Sequence, residues 1–504
     1  MKKPLQLVLP VISAALLVLA FPRFNLWFLA WFALIPLFFA IEGKKIRERF
    51  ALGYLFGLVF FALTLYWFVN VTIPGILILI VLLSLAPAIF CVFFFISVSP
   101  NPKPYTLYYI ISIPAAWVFT EYLRTHLLTG FPWALLGYSQ SLNLPVIQIS
   151  DITGAYGVSF LIVIVNLGIY LVLRRAKWKF YVSFFIMVLI ALSLLYGQKR
   201  ISKPYHSQSL KVAVIQGNIP QEKKWDPRYK ELILNKYETL TRESLKDSPS
   251  LVVWPETSVP GDLEEPRLKS RITGLAASGN IYLLVGTFRE GDVGFFNSAT
   301  LISDKGEILE SYNKIHLVPL GEFIPFKNAF AWVRSVIDKP IGDFEKGREY
   351  TVFKFRLVNK VKEPDRISKT TEFYKFSALI CFEDMFPDLC RNFVKKGARF
   401  LVNITNDAWF GKTSAAYQHA EGSVFRAVEN RVPVIRAANT GVSCIIDHTG
   451  RVTEIVKDRD RETFVDGYVT GTIMPIFSNS IYTRFGDVFS WVCTFLAFYG
   501  IGFR

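Results

Sequence analysis

Three apolar stretches of the 504-residue chain end in residues suited to acyl chemistry. LVVWPE (251–256) runs into Glu256, SYNKIHLVPLGEF (311–323) carries Lys314 and Glu322, and FSALICFED (376–384) delivers Cys381 and then Glu383. A thiol attacks only as the thiolate, so a nearby carboxylate must take its proton, and a cation must stabilise both the thiolate and the oxyanion that follows. Carboxylate, ammonium and thiol are together the parts of an acyl-transfer site. Taken one at a time they read otherwise: Glu256 as a turn residue after Trp-Pro, Lys314 as a solvated strand lysine, Cys381 as inert packing.

The chain has five cysteines, Cys91, Cys381, Cys390, Cys444 and Cys493. An odd number cannot form a complete disulfide set, so a thiol held outside the cytoplasm needs a reason. A Cys-His protease would need one of His126, His206, His316, His419 or His448, and none stands in a recognisable pairing. Zinc fits no better: His419 and Glu421 lack a Cys-x-x-Cys partner, and Cys381 to Cys390 is not ligand spacing. No metal and no cofactor are expected.

The elements that must position these groups lie between about 205 and 480, where strand and helix patterns alternate. Strands are expected at 210–216, 250–255, 281–288, 295–303, 376–382, 399–405, 432–438 and 442–448, with helices at 229–246 and 415–431. Asp304-Lys305-Gly306 and His448-Thr449-Gly450 each read as a hairpin turn. The charged stretch 356–372 is expected to be an exposed excursion. The alternation suits an α/β domain of two sheets covered by helices.

The rest of the chain is too apolar for water. With 52% hydrophobic and 15% aromatic residues overall, apolar runs fall near 5–21, 26–41, 52–69, 72–98, 105–123, 157–173, 180–197 and 488–503. About eight spans are expected, the first two shorter and joined by the tight turn FPRFN. Lys2 and Lys3, EGKKIRER (42–49), Lys103 and RRAKWK (174–179) fall on alternate connections, which the positive-inside rule makes cytoplasmic. Seven crossings then leave the 205–480 domain outside, and the last returns the C-terminus to the cytoplasm. Much of the net charge of +16 sits in those short loops, so anionic lipid headgroups are expected partners and nucleic acid is not. A transporter would explain the spans but not the large outer domain.

With their flanks, the three chemical residues resemble the nitrilase, or carbon–nitrogen hydrolase, superfamily, whose members carry Glu, Lys and Cys in this order on an αββα sandwich. The matching stretches are LVVWPET, NKIHLVPLGEFIP, ICFED and NITNDAWFG (403–411). More narrowly, the chain resembles the apolipoprotein N-acyltransferase family, through NIPQEKKWD (218–226), EYLRTHLLTGFPW (121–133), GYSQ (137–140), VIRAANTG (434–441) and TRFGD (483–487). That resemblance implies a polytopic α-helical membrane domain of seven helices over 1–200, a nitrilase-like catalytic domain over 205–480, and a C-terminal transmembrane helix at 488–503.

It also implies roles. Glu256 is the general base, Cys381 the nucleophile, and Lys314 the cation that holds the oxyanion and favours the thiolate. Glu322 and Glu383 support Lys314. Trp225, Phe382 and Trp409 bind substrate, with Phe382 standing where the family often has tyrosine; Phe288, Phe295 and Phe296 supply an apolar wall. Glu121 and Arg124, near the outer end of a span, are either functional or simply paired one turn apart. The implied acyl donor is a phospholipid, with phosphatidylethanolamine expected. The acceptor is the α-amino group of a diacylglyceryl-modified cysteine at the N-terminus of an apolipoprotein. A monomer in the bacterial inner membrane is expected, its catalytic domain periplasmic and both termini cytoplasmic. The alternatives are a membrane-bound amidase that passes the acyl group to water, and a silent lipoprotein-binding scaffold.

Overall fold

The computed structural model describes residues 3–94, 106–176, 179–204, 207–224, 226–292, 294–319, 321–323, 344–363, 366–478 and 480–499. They form two compact units, one of residues 1–203, 413–421 and 480–504, the other of 204–412 and 422–479.

The first unit is helical. Among its described residues, the segments 73–92, 155–173 and 179–201 are long and apolar enough to cross a membrane, while 6–19, 27–41 and 488–499 are apolar but shorter. The helix Lys179–Ile201 leaves Phe180, Tyr181, Phe184, Met187 and Leu195 largely exposed, an apolar face that fits lipid and not water. Ala155–Leu173 is buried along most of its length. Its Asn166 donates to the carbonyls of Ala30 and Ile162 and accepts from Leu34 N–H, pinning an irregular turn to the helix. Such a polar side chain is tolerated because it is fully paired.

Glu121 and Arg124 lie on the helix Thr106–His126. Arg124 donates to the carbonyls of Phe131, Trp133 and Ala134 at 3.0, 2.6 and 2.9 Å, and Glu121 accepts from Leu136 N–H at 2.6 Å. Both hold the loop after the helix in shape.

The second unit is built on two six-stranded sheets. In chain order the strands are β1 (Leu210–Gln216), β2 (Leu251–Val253), β3 (Tyr282–Glu290), β4 (Phe295–Ile302), β5 (Ile308–Asn313), β6 (Phe353–Glu363), β7 (Arg366–Ile380), β8 (Leu401–Thr405), β9 (Val434–Ala438), β10 (Cys444–Ile446), β11 (Val452–Ile455) and β12 (Gly467–Ile473). One sheet runs β12-β1-β2-β3-β4-β5, the other β11-β10-β9-β8-β7-β6. The central pairings β1–β2, β2–β3, β7–β8 and β8–β9 are parallel, and the flanking ones antiparallel. Parallel strands must be covered on both faces, and β2, β8 and β9 are buried at every residue.

The sheets pack on each other, β1 on β9 and β4 on β7. Helices Lys230–Ser244 and Pro266–Gly279 cover the first sheet through Ile233, Tyr237, Ile272 and Leu275, and Pro387–Lys395 lies against the second. The layers are therefore helix, sheet, sheet, helix.

Two expectations change. The stretch 356–372 is not an irregular excursion but most of a long hairpin, β6 pairing with β7 from Phe353 with Phe376 to Glu363 with Arg366. Strand β12 (GYVTGTI) was not expected, because its glycines weaken strand propensity; it forms through its antiparallel pairing with β1. Both predicted turns close hairpins, with Gly306 N–H donating to Ser303 O and Gly450 N–H to Asp447 O.

Candidate active site

The parallel strands bring their C-terminal ends to one place. Asn439, just past β9, accepts from Asn218 N–H through its carbonyl and from Ile219 N–H through its side chain, both just past β1. At that end β2 leads into Glu256, β7 into Cys381 and β8 into Asn406 and Asp407.

Cys381 opens a short 3₁₀ turn, Cys381–Met385, with φ +55°. A β-carbon makes that left-handed conformation costly, so the surroundings must hold it. Asn403 Nδ2 donates to the Cys381 carbonyl at 2.9 Å, and Asn403 Oδ1 accepts from Arg436 Nη1 at 3.2 Å. Register explains the reach, since Leu379, Asn403 and Arg436 stand side by side across β7, β8 and β9. Arg436 is fully buried and balanced by Asp384 at 2.8 Å and Asp407 at 3.3 Å. All five cysteines are unbridged, and Cys381 alone is not fully buried.

Glu256 follows a firmly anchored strand end. Trp254 donates to Thr241 Oγ1 at 2.8 Å and stacks on Tyr237. Beside it Gly286 on β3 leaves no room for a side chain: a Cβ there would lie 2.5 Å from Thr257 N and 2.7 Å from the Glu256 Cα. Gly286→Ala must therefore displace backbone around the carboxylate. On the expectation that Glu256 is the base for Cys381, acylation of the thiol should fall at least about tenfold while the unit still folds, since an off-position catalytic group loses rate steeply. Wild-type acylation by Gly286→Ala would show that the position of Glu256 is not critical.

Asn297 on β4 joins the next two groups. Its Nδ2 donates to Glu256 Oε1 at 2.8 Å and to Glu322 Oε1 at 3.0 Å, while its carbonyl accepts from Lys314 N–H at 2.9 Å. Lys314, 1% exposed, grips Glu322 at 2.9 Å, and Glu322 Oε2 accepts from Val318 N–H. Glu383 is the second anchor. Its Oε1 accepts from Tyr312 Oη and from the N–H groups of Ile315 and His316, and its Oε2 from Ile380 N–H. One carboxylate thus ties the residues after Lys314 to the residue before Cys381.

Burial and charge set the protonation states. Burial, reinforced by Glu256, pushes the Cys381 thiol above its ordinary value despite the opposing pull of Lys314. The resting thiol is neutral and needs a base. Burial also raises the Glu256 carboxyl, against the pull of Lys314 and Lys224, which makes it a better proton acceptor. Burial pulls Lys314 down, but Glu322, Cys381, Glu256 and Glu383 lift it further, so it stays cationic. Burial pushes Glu383 up to about 7 against Lys314 and its donors.

Of the other residues singled out, Phe382 is buried edge-on against Phe386, and Trp409 is partly exposed on the turn Asp407–Phe410. Phe288 packs on Phe344, and Phe295 is mostly exposed. Trp225 lies outside the described residues. Asn297, Asn403 and Lys224 escaped the sequence reading. Lys224 stood in a quoted stretch, NIPQEKKWD, where nothing in its type or spacing set it apart from the adjacent Lys223. Its Nζ instead donates to the Glu256 carbonyl at 2.7 Å from a buried position.

Comparison with known proteins identifies the family. Residues 13–168 match the family model described as apolipoprotein N-acyltransferase N-terminal domain, and residues 211–472 the model for carbon–nitrogen hydrolase. An apolipoprotein N-acyltransferase of Geobacter metallireducens is 39% identical over 96% of this chain and 92% of its own. The proteins of that name from Allorhizobium ampelinum and Photobacterium profundum are 32% and 28% identical, covering 88% and 98% of this chain and 86% and 94% of their own. Among solved structures, an amidase from Nesterenkonia sp. has a TM-score of 0.35 at 16% identity, over 54% of this chain and 93% of its own. The chain belongs to the apolipoprotein N-acyltransferase family and carries that family's carbon–nitrogen hydrolase domain.

Proposed function

We propose that this enzyme, an acyltransferase that N-acylates apolipoproteins, carries the acyl group as a thioester on Cys381. In the first half-reaction Glu256 takes the thiol proton and the thiolate attacks an ester carbonyl of a phospholipid, with phosphatidylethanolamine the expected donor. The oxyanion forms beside the Lys314 ammonium. As it collapses, the carbon–oxygen bond breaks and the lysophospholipid leaves with the proton from Glu256. In the second half-reaction the α-amino group of a diacylglyceryl-cysteine attacks the thioester. Glu256 accepts the amine proton, the carbon–sulfur bond breaks, and the thiol is restored.

The observation that carries this reading is the double tie through Asn297 and Glu383. Asn297 links Glu256 to the Lys314–Glu322 pair, and Glu383 links the Lys314 segment to the strand that delivers Cys381. Intact mass after incubation with phosphatidylethanolamine tests it. One added acyl group is expected, stable in neutral buffer and released by hydroxylamine. The same gain in Cys381→Ala would remove the nucleophile assignment.

The substrates explain the membrane part. Donor and acceptor are both lipid-anchored, so confinement to one leaflet aligns acyl chains with the thiol. The reading places seven spans within 1–200, the catalytic domain over 205–480 in the periplasm, one span at 488–503, both termini in the cytoplasm, and a monomer in the inner membrane. Its support is the alternation of basic loops together with the lipid-suited faces of the apolar helices. Reporter fusions after Lys179 should be cytoplasmic and fusions after Gln208 exported. A cytoplasmic signal at Gln208 would put the catalytic domain on the wrong side. Trp225, Phe382 and Trp409 are proposed to line the acyl-donor path, with Phe382 contributing from within the aromatic packing.

A further inference from the structure

We propose that Lys224 is a positioning residue that acts through Glu256, holding its main chain in place and keeping its carboxylate charged so that it can accept the thiol proton. The inference rests on Glu256 being the base of the acylation step. Lys224 ends the short helix Gln221–Lys224 and is 7% exposed. A buried ammonium carries three donors and is costly unless opposed by negative charge. Among the described residues its one hydrogen bond is to the Glu256 carbonyl, at 2.7 Å. The ionisable groups that act on it are the Glu256 carboxyl and the Cys381 thiol.

The need for a second cation follows from what surrounds Glu256. Asn297 faces it from β4, Lys314 and Glu322 from the segment after β5, and Lys224 from the helix after β1. Cys381 and Lys314 face each other as well, Glu383 faces Lys314, and Asp407 faces Cys381 from beyond β8. Lys314 is gripped by Glu322, and Glu322 itself repels the Glu256 charge. With Lys224 removed, Glu256 would share one cation with a competing carboxylate, and burial would favour the neutral acid, which cannot act as a base. Burial lowers the Lys224 ammonium only to about 8, so it is still charged at neutral pH.

The sign of the expected effect follows. A cation near a carboxyl stabilises the ionised form, so deleting it raises the pH at which Glu256 becomes competent. The full-length enzyme, in vesicles containing phosphatidylethanolamine as donor, is followed by intact mass as Cys381 acquires its acyl group, across pH. In Lys224→Met the acid limb of that rate should move up by about one unit, a loss of about tenfold below the limb. The rate at high pH should recover to within a few-fold of wild type. Lys224→Arg, which keeps the charge, should keep the limb near its wild-type position. The limb's position does not depend on how much of a variant folds. In a Glu256→Gln background, Lys224→Met should add less than about threefold, because both changes act on one group.

A Lys224→Met enzyme that is uniformly slower with an unmoved limb, or a loss that multiplies with that of Glu256→Gln, would overturn the proposal and leave Lys224 as packing. A wild-type enzyme that gains no mass on Cys381 would instead strike at the thioester reading itself.

Discussion

Glu256→Gln should lower the rate at which Cys381 acquires an acyl group by at least about a hundredfold with the fold intact. The amide keeps the shape of the carboxylate and can still accept a hydrogen bond from Asn297 through its oxygen. What it cannot do is accept a proton. Because burial holds the Cys381 thiol above its ordinary value, the site has little thiolate of its own to fall back on. Lys314→Met should cost a similar factor for a different reason, since it removes the ammonium proposed to hold the oxyanion and leaves Glu322 unopposed. Rapid-quench sampling with intact mass separates the acylation step from later ones. A near-wild-type rate in either variant, with an unchanged thermal transition, would make that residue structural.

The second large effect is on stability. Glu383→Ala removes an acceptor shared by four donors, the Tyr312 hydroxyl and the N–H groups of Ile315, His316 and Ile380. A buried donor left without a partner costs about 1–3 kcal/mol. Ile315 N–H keeps the Tyr312 hydroxyl oxygen as an acceptor at 3.2 Å, so three donors are stranded, and even at the lower bound their sum is a sizeable share of a domain's roughly 5–15 kcal/mol. The catalytic unit should melt well below the wild-type temperature, and any folded fraction should acylate poorly because the Lys314 segment is no longer tied to β7. Glu383→Gln, which keeps the shape and most of the accepting capacity, should be milder on both counts. Thermal unfolding followed by near-ultraviolet circular dichroism provides the check. A wild-type transition in Glu383→Ala would show that water replaces the carboxylate at no cost.

These effects divide between what the chain announces and what only folding reveals. Glu256 and Cys381 were legible because each closes an apolar strand, and Lys314 with them because all three sit in distinctive flanks, Trp-Pro-Glu, Asn-Lys-Ile-His and Cys-Phe-Glu-Asp. The central strands were legible because strands buried on both faces read as continuous Val/Ile/Leu runs. Asn297, Asn403 and Arg436 were not, since an isolated polar residue in a strand says nothing of its cross-strand partner. Asn403 reaches Cys381 only through register with β7, and Asn297 meets Glu256 across 41 residues of chain. The hairpin of β6 and β7 was hidden by its charges, which mimic a solvated loop until the two strands pair. Lys224 was hidden by its neighbour: Lys223 beside it is only partly buried, and only the path of the chain after β1 decides which one turns fully inward.

The most direct measurement of the central claim takes the isolated acyl-enzyme and asks what discharges it. Transfer and hydrolysis share the first half-reaction and differ only in what attacks the thioester. Acyl-enzyme freed of donor lipid is mixed with a diacylglyceryl-cysteine peptide whose amino group is either free or acetylated, and the intact mass of the protein is followed. The free amine should return Cys381 to its unmodified mass quickly, with the acyl group recovered on the peptide, while the acetylated peptide and buffer alone leave the acyl-enzyme in place. Release of free fatty acid at one common rate in all three mixtures would make water the acceptor and contradict acyl transfer through Cys381.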